Sequence, residues 1–219
     1  MRLVYLHAFP FDERMWGRRY GTAPYLYPLG TSTDEWAQRI AAQIEGPIAA
    51  IGASMGGYCA QRLLAHADVR ALVLVGSRAD PDTPERRQAR EETIELIRAE
   101  GVAALWEKMR PALFPEAADE DVVAHARALA LEQDPVELEV GVAAMRDRPD
   151  STELVRETDA AVLVARGEHD PFLSAEEAET LAAAAHNGSS YTFEGCGHLP
   201  SFERPDELDR VVQEFLSGV

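Results

Sequence analysis

Gly52-Ala53-Ser54-Met55-Gly56 lies between an apolar run and a helix-forming stretch. In a G-x-S-x-G pattern at a strand-to-helix turn, side chains two positions either side of the serine would collide, and glycine avoids this. The Ser54 hydroxyl is then held out above the end of a sheet. The next amide, that of Met55, falls at a helix N-terminus, where an N–H can stabilise an oxyanion. A serine hydroxyl attacks at neutral pH only if a base takes its proton, which directs attention to the six histidines. His198 lies in Glu194-Gly195-Cys196-Gly197-His198, a loop between the last short strand and the last helix. His66, His125 and His186 fall on helices, where surface or core packing accounts for them. The imidazole in turn needs a carboxylate to fix its tautomer. Asp170 follows the apolar run 161–165 through Arg166-Gly167-Glu168-His169. It therefore sits at the C-terminal end of a strand, the edge where sites assemble in open parallel sheets. Asp80, just beyond the run 69–75, is the alternative acid.

A second oxyanion donor should come from the loop after the first strand, His7-Ala8-Phe9-Pro10. The Phe9 N–H is the candidate, with Pro10 biasing Phe9 toward an extended backbone; His7 then braces the loop. No H-x-x-x-H or C-x-x-C spacing suggests a zinc site. A Rossmann glycine fingerprint and a Walker lysine are also missing, so no cofactor is expected.

These residues need elements to hold them. Strands are predicted over 2–6, 23–27, 47–51, 69–75, 161–165 and 191–193. Helices are predicted over 32–44, 55–67, 174–186 and 205–216. Ser32 with Glu35, and Ser174 with Glu177, have capping-box spacing. Thr83-Pro84 gives an N-cap followed by proline at the first helical position. Strands alternating with helices at both ends of the chain indicate an α/β fold, a mostly parallel sheet of about six strands covered by helices. Between the runs 69–75 and 161–165 the apolar spacing is helical throughout, about four helices' worth. The reading is one domain over 1–219, with a core of 1–77 and 159–219 and a helical cap insertion at 78–158. Trp106, Met109, Leu113 and Phe114 in the cap either wall a substrate pocket or pack the cap's own core.

The chain has 219 residues, enough to bury a substantial core without disulfides. Its formal net charge is −17, from 38 acidic and 21 basic residues, a field that repels phosphate backbones and disfavours nucleic acid. The only lysine is Lys108, which reads as compositional bias. No leader pattern is seen, and the longest uncharged stretch, 46–61, is too short to cross a bilayer. Cys59 and Cys196 are expected to be reduced thiols. These features lead to the expectation of a cytoplasmic monomer or homodimer, away from membranes, acting on a small molecule.

The segments LHAFPFDERMW, GASMGGYCAQ, LVLVGSRADPDTPE, VARGEHDPF and GCGHLPSFERPDEL, in that order, resemble the small bacterial α/β-hydrolases of the carboxylesterase and 3-oxoadipate enol-lactonase type. The order Ser54, Asp170, His198 is also that of this superfamily's triad. The resemblance implies a serine hydrolase of carboxylic esters or lactones. In that scheme Ser54 is the nucleophile, His198 the base, Asp170 its orienting acid, and the Phe9 and Met55 amides the oxyanion hole. Related folds cleave C–C bonds or eliminate pyruvate, which would need a cationic anchor, and Arg78 is positioned for one. Others act as small-molecule receptors with slow turnover. Two features depart from the pattern. Ala8 replaces the usual glycine after the histidine, and the chain starts at what is usually the third strand, so an exposed sheet edge is expected.

Overall fold

β-Branched and aliphatic runs that are apolar on both faces form strands buried from both sides, the condition of an interior parallel sheet. The computed structural model describes residues 1–17 and 21–219. Its strands are β1 (Arg2–Leu6), β2 (Ile48–Ala53), β3 (Val69–Val75), β4 (Ala161–Gly167) and β5 (Asn187–Phe193). They form one sheet in the order β1-β2-β3-β4-β5, and every pairing is parallel. Leu6 pairs with Gly52, Ala53 with Val75, Val75 with Ala165 and Gly167 with Phe193. The C-terminal ends are therefore level, and the loops leaving them emerge on one edge.

Alternate side chains feed two cores. Ile48, Leu72, Leu74, Val162 and Val164 point to one face, while Ala49, Ile51, Val73, Val75 and Leu163 point to the other. The first face is covered by α1 (Thr33–Ala41) and α2 (Met55–Leu63), through Trp36, Ile40, Cys59 and Leu63. Four helices separate β3 from β4: α3 (Pro84–Leu113), α4 (Glu120–Leu131), α5 (Pro135–Arg146) and α6 (Thr152–Glu157). α3 is broken at Gly101, whose φ of 79° is not helical, so it consists of two limbs. The second limb wedges between the cores, with Leu105 in the first and Trp106 in the second. α7 (Ala175–Ala184) joins the first face. α8 (Pro200–Glu203) and α9 (Pro205–Ser217) close the second with Phe202, Leu208 and Val211. Among the described residues no helix is long and apolar enough to cross a membrane.

Beyond shifts in the ends of other elements, four differences from the sequence reading concern the sheet and the helix caps. Residues 23–27 are not a strand, so the described sheet has five strands and not six. Thr22 alone bridges to Val4, and Pro24, with no N–H to give a ladder, precedes a 3₁₀ turn at Tyr27–Leu29. The expected open edge at β1 is partly closed by that bridge: Tyr5 N donates to Thr22 O at 2.8 Å and Thr22 N to Leu3 O at 2.9 Å. β5 starts four residues before the predicted 191–193. Its first residues, Asn187 to Ser190, are exposed on an edge that demands no apolar side chains. Finally, Glu35 turns to the Thr31 amide at 2.6 Å, so Ser32 caps α1 without a reciprocal box, whereas Ser174 and Glu177 form both bonds of theirs.

Candidate active site

Each strand delivers part of the site at the level edge. Ser54 joins β2 to α2 with φ 48° and ψ −113°, the sole non-glycine residue with positive φ among those described. Such a backbone costs about 1–3 kcal/mol and persists only where its surroundings hold it. Here Ser54 N donates to Val75 O at 2.8 Å, and Ser54 O accepts from Gly57 N and Ser77 Oγ, both at 2.9 Å. A Cβ on Gly52 would collide with the backbone of Gly56, and one on Gly56 with the backbone of Leu6. The glycine spacing is therefore a steric requirement of this turn.

His198 follows β5, and Asp170 follows β4. Nδ1 of His198 lies 2.9 Å from Oδ2 of Asp170, and both side chains are buried. The other Asp170 oxygen, Oδ1, accepts from Phe172 N at 2.8 Å. The two loops are stitched together by His169 N to Cys196 O (2.9 Å) and Gly195 N to Glu168 Oε2 (2.8 Å). His198 N donates to Leu113 O at 3.0 Å, fastening the loop to the second limb of α3. Glu203 accepts from Gly197 N at 2.9 Å, and burial pushes its carboxyl above the ordinary range. Gly76, at the end of β3, lies against the pair. A Cβ there would sit 2.8 Å from His198 Cε1 and 2.9 Å from Asp170 Oδ2.

Ser54, His198, Asp170 and Phe9 line one cavity of about 580 Å³. Among the described residues, neither the Phe9 nor the Met55 amide has a hydrogen-bond acceptor, so both donors are unspent. The Phe9 loop is held from behind by His7. Its Nε2 accepts from Leu26 N at 2.9 Å while Nδ1 faces Ala8 O at 3.2 Å, which places the proton on Nδ1. Burial lowers the His7 pKa to about 4, so this clamp is neutral.

The remaining sequence candidates separate. Met109 and Leu113 line the cavity. Trp106 does not: it is 2% exposed and packs against Phe114, at 6.2 Å, in the core beneath. Helical spacing puts Trp106 on an apolar face without saying which side of the wedge that face meets. Arg78 lines the cavity, but its donors are taken. Nε is 2.8 Å from Asp80, and Nη1 reaches Glu177 at 2.8 Å and Phe172 O at 3.2 Å. Asp80 is held by Arg78 and Arg86 and is not part of the cavity wall. Sequence reasoning passed over Phe172, whose ring stands edge-on to His198 at 4.6 Å, and over Gly76 and Ser77. The apolar run before Gly76-Ser77 could have flagged them, since it ends on the same edge as Ser54.

The chain matches the model of the alpha/beta hydrolase family over residues 3–211. It belongs to that family. No curated protein sequence matches it. Among solved structures it is similar to a malate-bound thermophilic esterase from Thermogutta terrifontis, at 25% identity and a TM-score of 0.88, over 99% of this chain and 89% of that one. MenH from S. aureus has 19% identity and a TM-score of 0.87, over 99% and 93%. The enol-lactonase from Burkholderia xenovorans LB400 has 21% identity and a TM-score of 0.80, over 98% and 90%. The last two likenesses concern the alpha/beta hydrolase fold alone.

Proposed function

We propose that this alpha/beta hydrolase cleaves carboxylic esters or lactones through an acyl-enzyme on Ser54. The observation that carries the reading is the strained Ser54 sharing one cavity with a buried His198–Asp170 pair at 2.9 Å. In this mechanism His198 Nε2 takes the Ser54 proton as Oγ attacks the carbonyl carbon. Asp170 holds the Nδ1 proton and stabilises the imidazolium. The tetrahedral oxyanion is received by the Phe9 and Met55 amides, the latter at the start of α2. The carbonyl then re-forms and the alkoxide leaves with the proton from His198. Water, activated by the same imidazole, releases the acid. Every step uses this chain's own residues and the substrate, and α3 to α6 act as a cap over the site. Pyruvate elimination or C–C cleavage anchored at Arg78 is less well supported, because that guanidinium is already held by two carboxylates and a carbonyl.

The test is Ser54→Ala, assayed on p-nitrophenyl acetate and a small lactone panel with protein purified from a host lacking background esterase. Loss of the nucleophile in such a triad costs on the order of 10⁶ in kcat. Retention of more than a few per cent of wild-type turnover overturns the assignment.

A further inference from the structure

β4 is apolar from Ala161 to Ala165 and then carries an arginine. Alternation puts Arg166 on the face of Val162 and Val164, which belong to the first core. It is 6% exposed, and among the described residues no carboxylate pairs with it. A buried guanidinium without a counter-ion is unfavourable, and an aliphatic side chain would fill the same place with less loss. What Arg166 supplies is therefore to be sought in its two hydrogen bonds. Nε donates to Leu173 O at 2.7 Å, and Nη2 donates to Glu168 O at 2.8 Å. Those carbonyls belong to the first and last residues of the loop 168–173, which joins β4 to the Ser174 cap of α7. One planar fork thus closes the loop across its base, with Asp170 inside it.

The two halves of the loop are held differently. On the way out of β4, backbone amides do the work. Glu168 N donates to Phe193 O and His169 N to Cys196 O, both at 2.9 Å, and Asp170 N to Gly167 O at 3.2 Å. On the way back, Pro171 has no N–H, and the Phe172 amide is turned inward to Asp170 Oδ1 at 2.8 Å. Among the described residues, the backbone bonds that tie 171–173 to the rest of the chain come from two guanidiniums. Arg78 Nη1 reaches Phe172 O at 3.2 Å, on the exposed side, and is shared with Glu177. Arg166 makes the shorter, buried bond to Leu173 O. Charge-assisted donors at such distances are the stronger kind. Because Phe172 N holds one Asp170 oxygen while the other faces His198, any drift of 171–173 pulls the carboxylate away from the imidazole.

We infer that Arg166 is a positioning residue for the reaction at Ser54: by bracing the loop 168–173 it fixes the Asp170 carboxylate against His198, although it lines no part of the cavity. The effect on turnover rests on the hydrolase reading; the bracing of the loop does not.

Arg166→Met removes the fork and leaves an unbranched apolar side chain. On p-nitrophenyl acetate its kcat should fall by about tenfold or more, since a misplacement on the order of 1 Å can cost about a hundredfold. KM should stay within about twofold, as expected of a loss confined to the transition state. In an Asp170→Asn background the same replacement should lower kcat by less than about twofold further, because the group it positions is already disabled. A residue that only supports the fold would act equally in both backgrounds. A kcat for Arg166→Met near that of the wild type, or an equal loss in both backgrounds, overturns the inference. If Arg166→Met does not fold, Arg166→Lys enters the same cycle under the same criteria, its ammonium keeping the charge without the planar fork. If the wild type turns over neither p-nitrophenyl acetate nor the lactone panel, the hydrolase reading fails, and the bracing is judged by hydrogen exchange. Exchange over 168–174 that is about tenfold faster in the variant, with α2 unmoved, supports it; unchanged exchange over 168–174 overturns it.

Discussion

Replacing Asp170 by asparagine changes one atom and no volume, and the surroundings show why it should nevertheless be severe. Oδ1 accepts the Phe172 amide at 2.8 Å, and Oδ2 faces His198 Nδ1 at 2.9 Å. Both positions require an acceptor, and an amide supplies only one. If the NH₂ faces His198, two donors meet, and the ring escapes by moving its proton from Nδ1 to Nε2. The lone pair that must receive the Ser54 proton is then gone. If the amide is turned over, the NH₂ opposes the Phe172 N–H and the loop holding the acid is strained. Water cannot relieve either clash, since the Asp170 side chain is fully buried. The same replacement in a serine protease triad costs about 10⁴ in kcat, equivalent to about 5.5 kcal/mol of transition-state stabilisation. We expect a fall of that order in Asp170→Asn. Asp80→Asn should fall less than about tenfold, because Asp80 lies outside the cavity wall and pairs with Arg78 and Arg86. The two variants are to be assayed together on p-nitrophenyl acetate, with folding checked by circular dichroism. If a folded Asp170→Asn keeps a tenth of wild-type kcat/KM, or if Asp80→Asn is the worse variant, the acid has been misassigned.

Gly76→Ala should cut kcat by a hundredfold or so. Its φ of 60° strains alanine, and the new methyl displaces the His198–Asp170 pair; thermal melting and turnover measured together check this, and unimpaired turnover contradicts it. His7 has its pKa lowered to about 4 in the folded chain, so the unfolded chain binds the proton more readily. The stability this confers is present above about pH 6.5 and is lost, by about 3 kcal/mol, as pH falls to about 4. Urea titrations at both ends of that window should show the gap between wild type and His7→Gln closing toward acid, and a constant gap would exclude His7 as the cause. Arg148→Met leaves the 1%-exposed Asp82 with Arg90 alone, and should cost about 3–5 kcal/mol in urea unfolding. Adding Asp82→Leu should recover much of that loss; no recovery would mean that Arg148 acts through its stacking on Tyr58 and its bonds to the Met145 and Asp80 carbonyls and not through its pairing with Asp82.

The residues around Ser54 were legible because each follows a run apolar enough to be read as a strand. Ser54 after β2, Asp170 after β4 and His198 after β5 inherit their positions from a parallel sheet with level ends. The cavity wall was not legible. Arg90 and Lys108 both line the cavity from α3, which breaks at Gly101, and a helical repeat carries no record of how two limbs are set. Lys108 looked like a by-product of an arginine-rich composition, and Arg78 looked free because its partners Asp80 and Glu177 stand 2 and 99 positions away. Residues 23–27 carried strand-like aromatic composition. Thr22 makes two bonds to the β1 edge, and Pro24 prevents the ladder from continuing.

The two margins of the sheet resist a further strand by different means. At β1 the outward-facing Leu3 O and Tyr5 N are already spent on Thr22. At β5 the outer row is Asn187, Gly188, Ser189 and Ser190, polar or bare and solvent-exposed. A visiting chain would gain backbone hydrogen bonds there but bury almost no apolar surface in return, and such an edge is a poor template for aggregation. The polar start of β5 therefore keeps an all-parallel sheet, whose interior strands are aggregation-prone as isolated segments, from recruiting copies of itself.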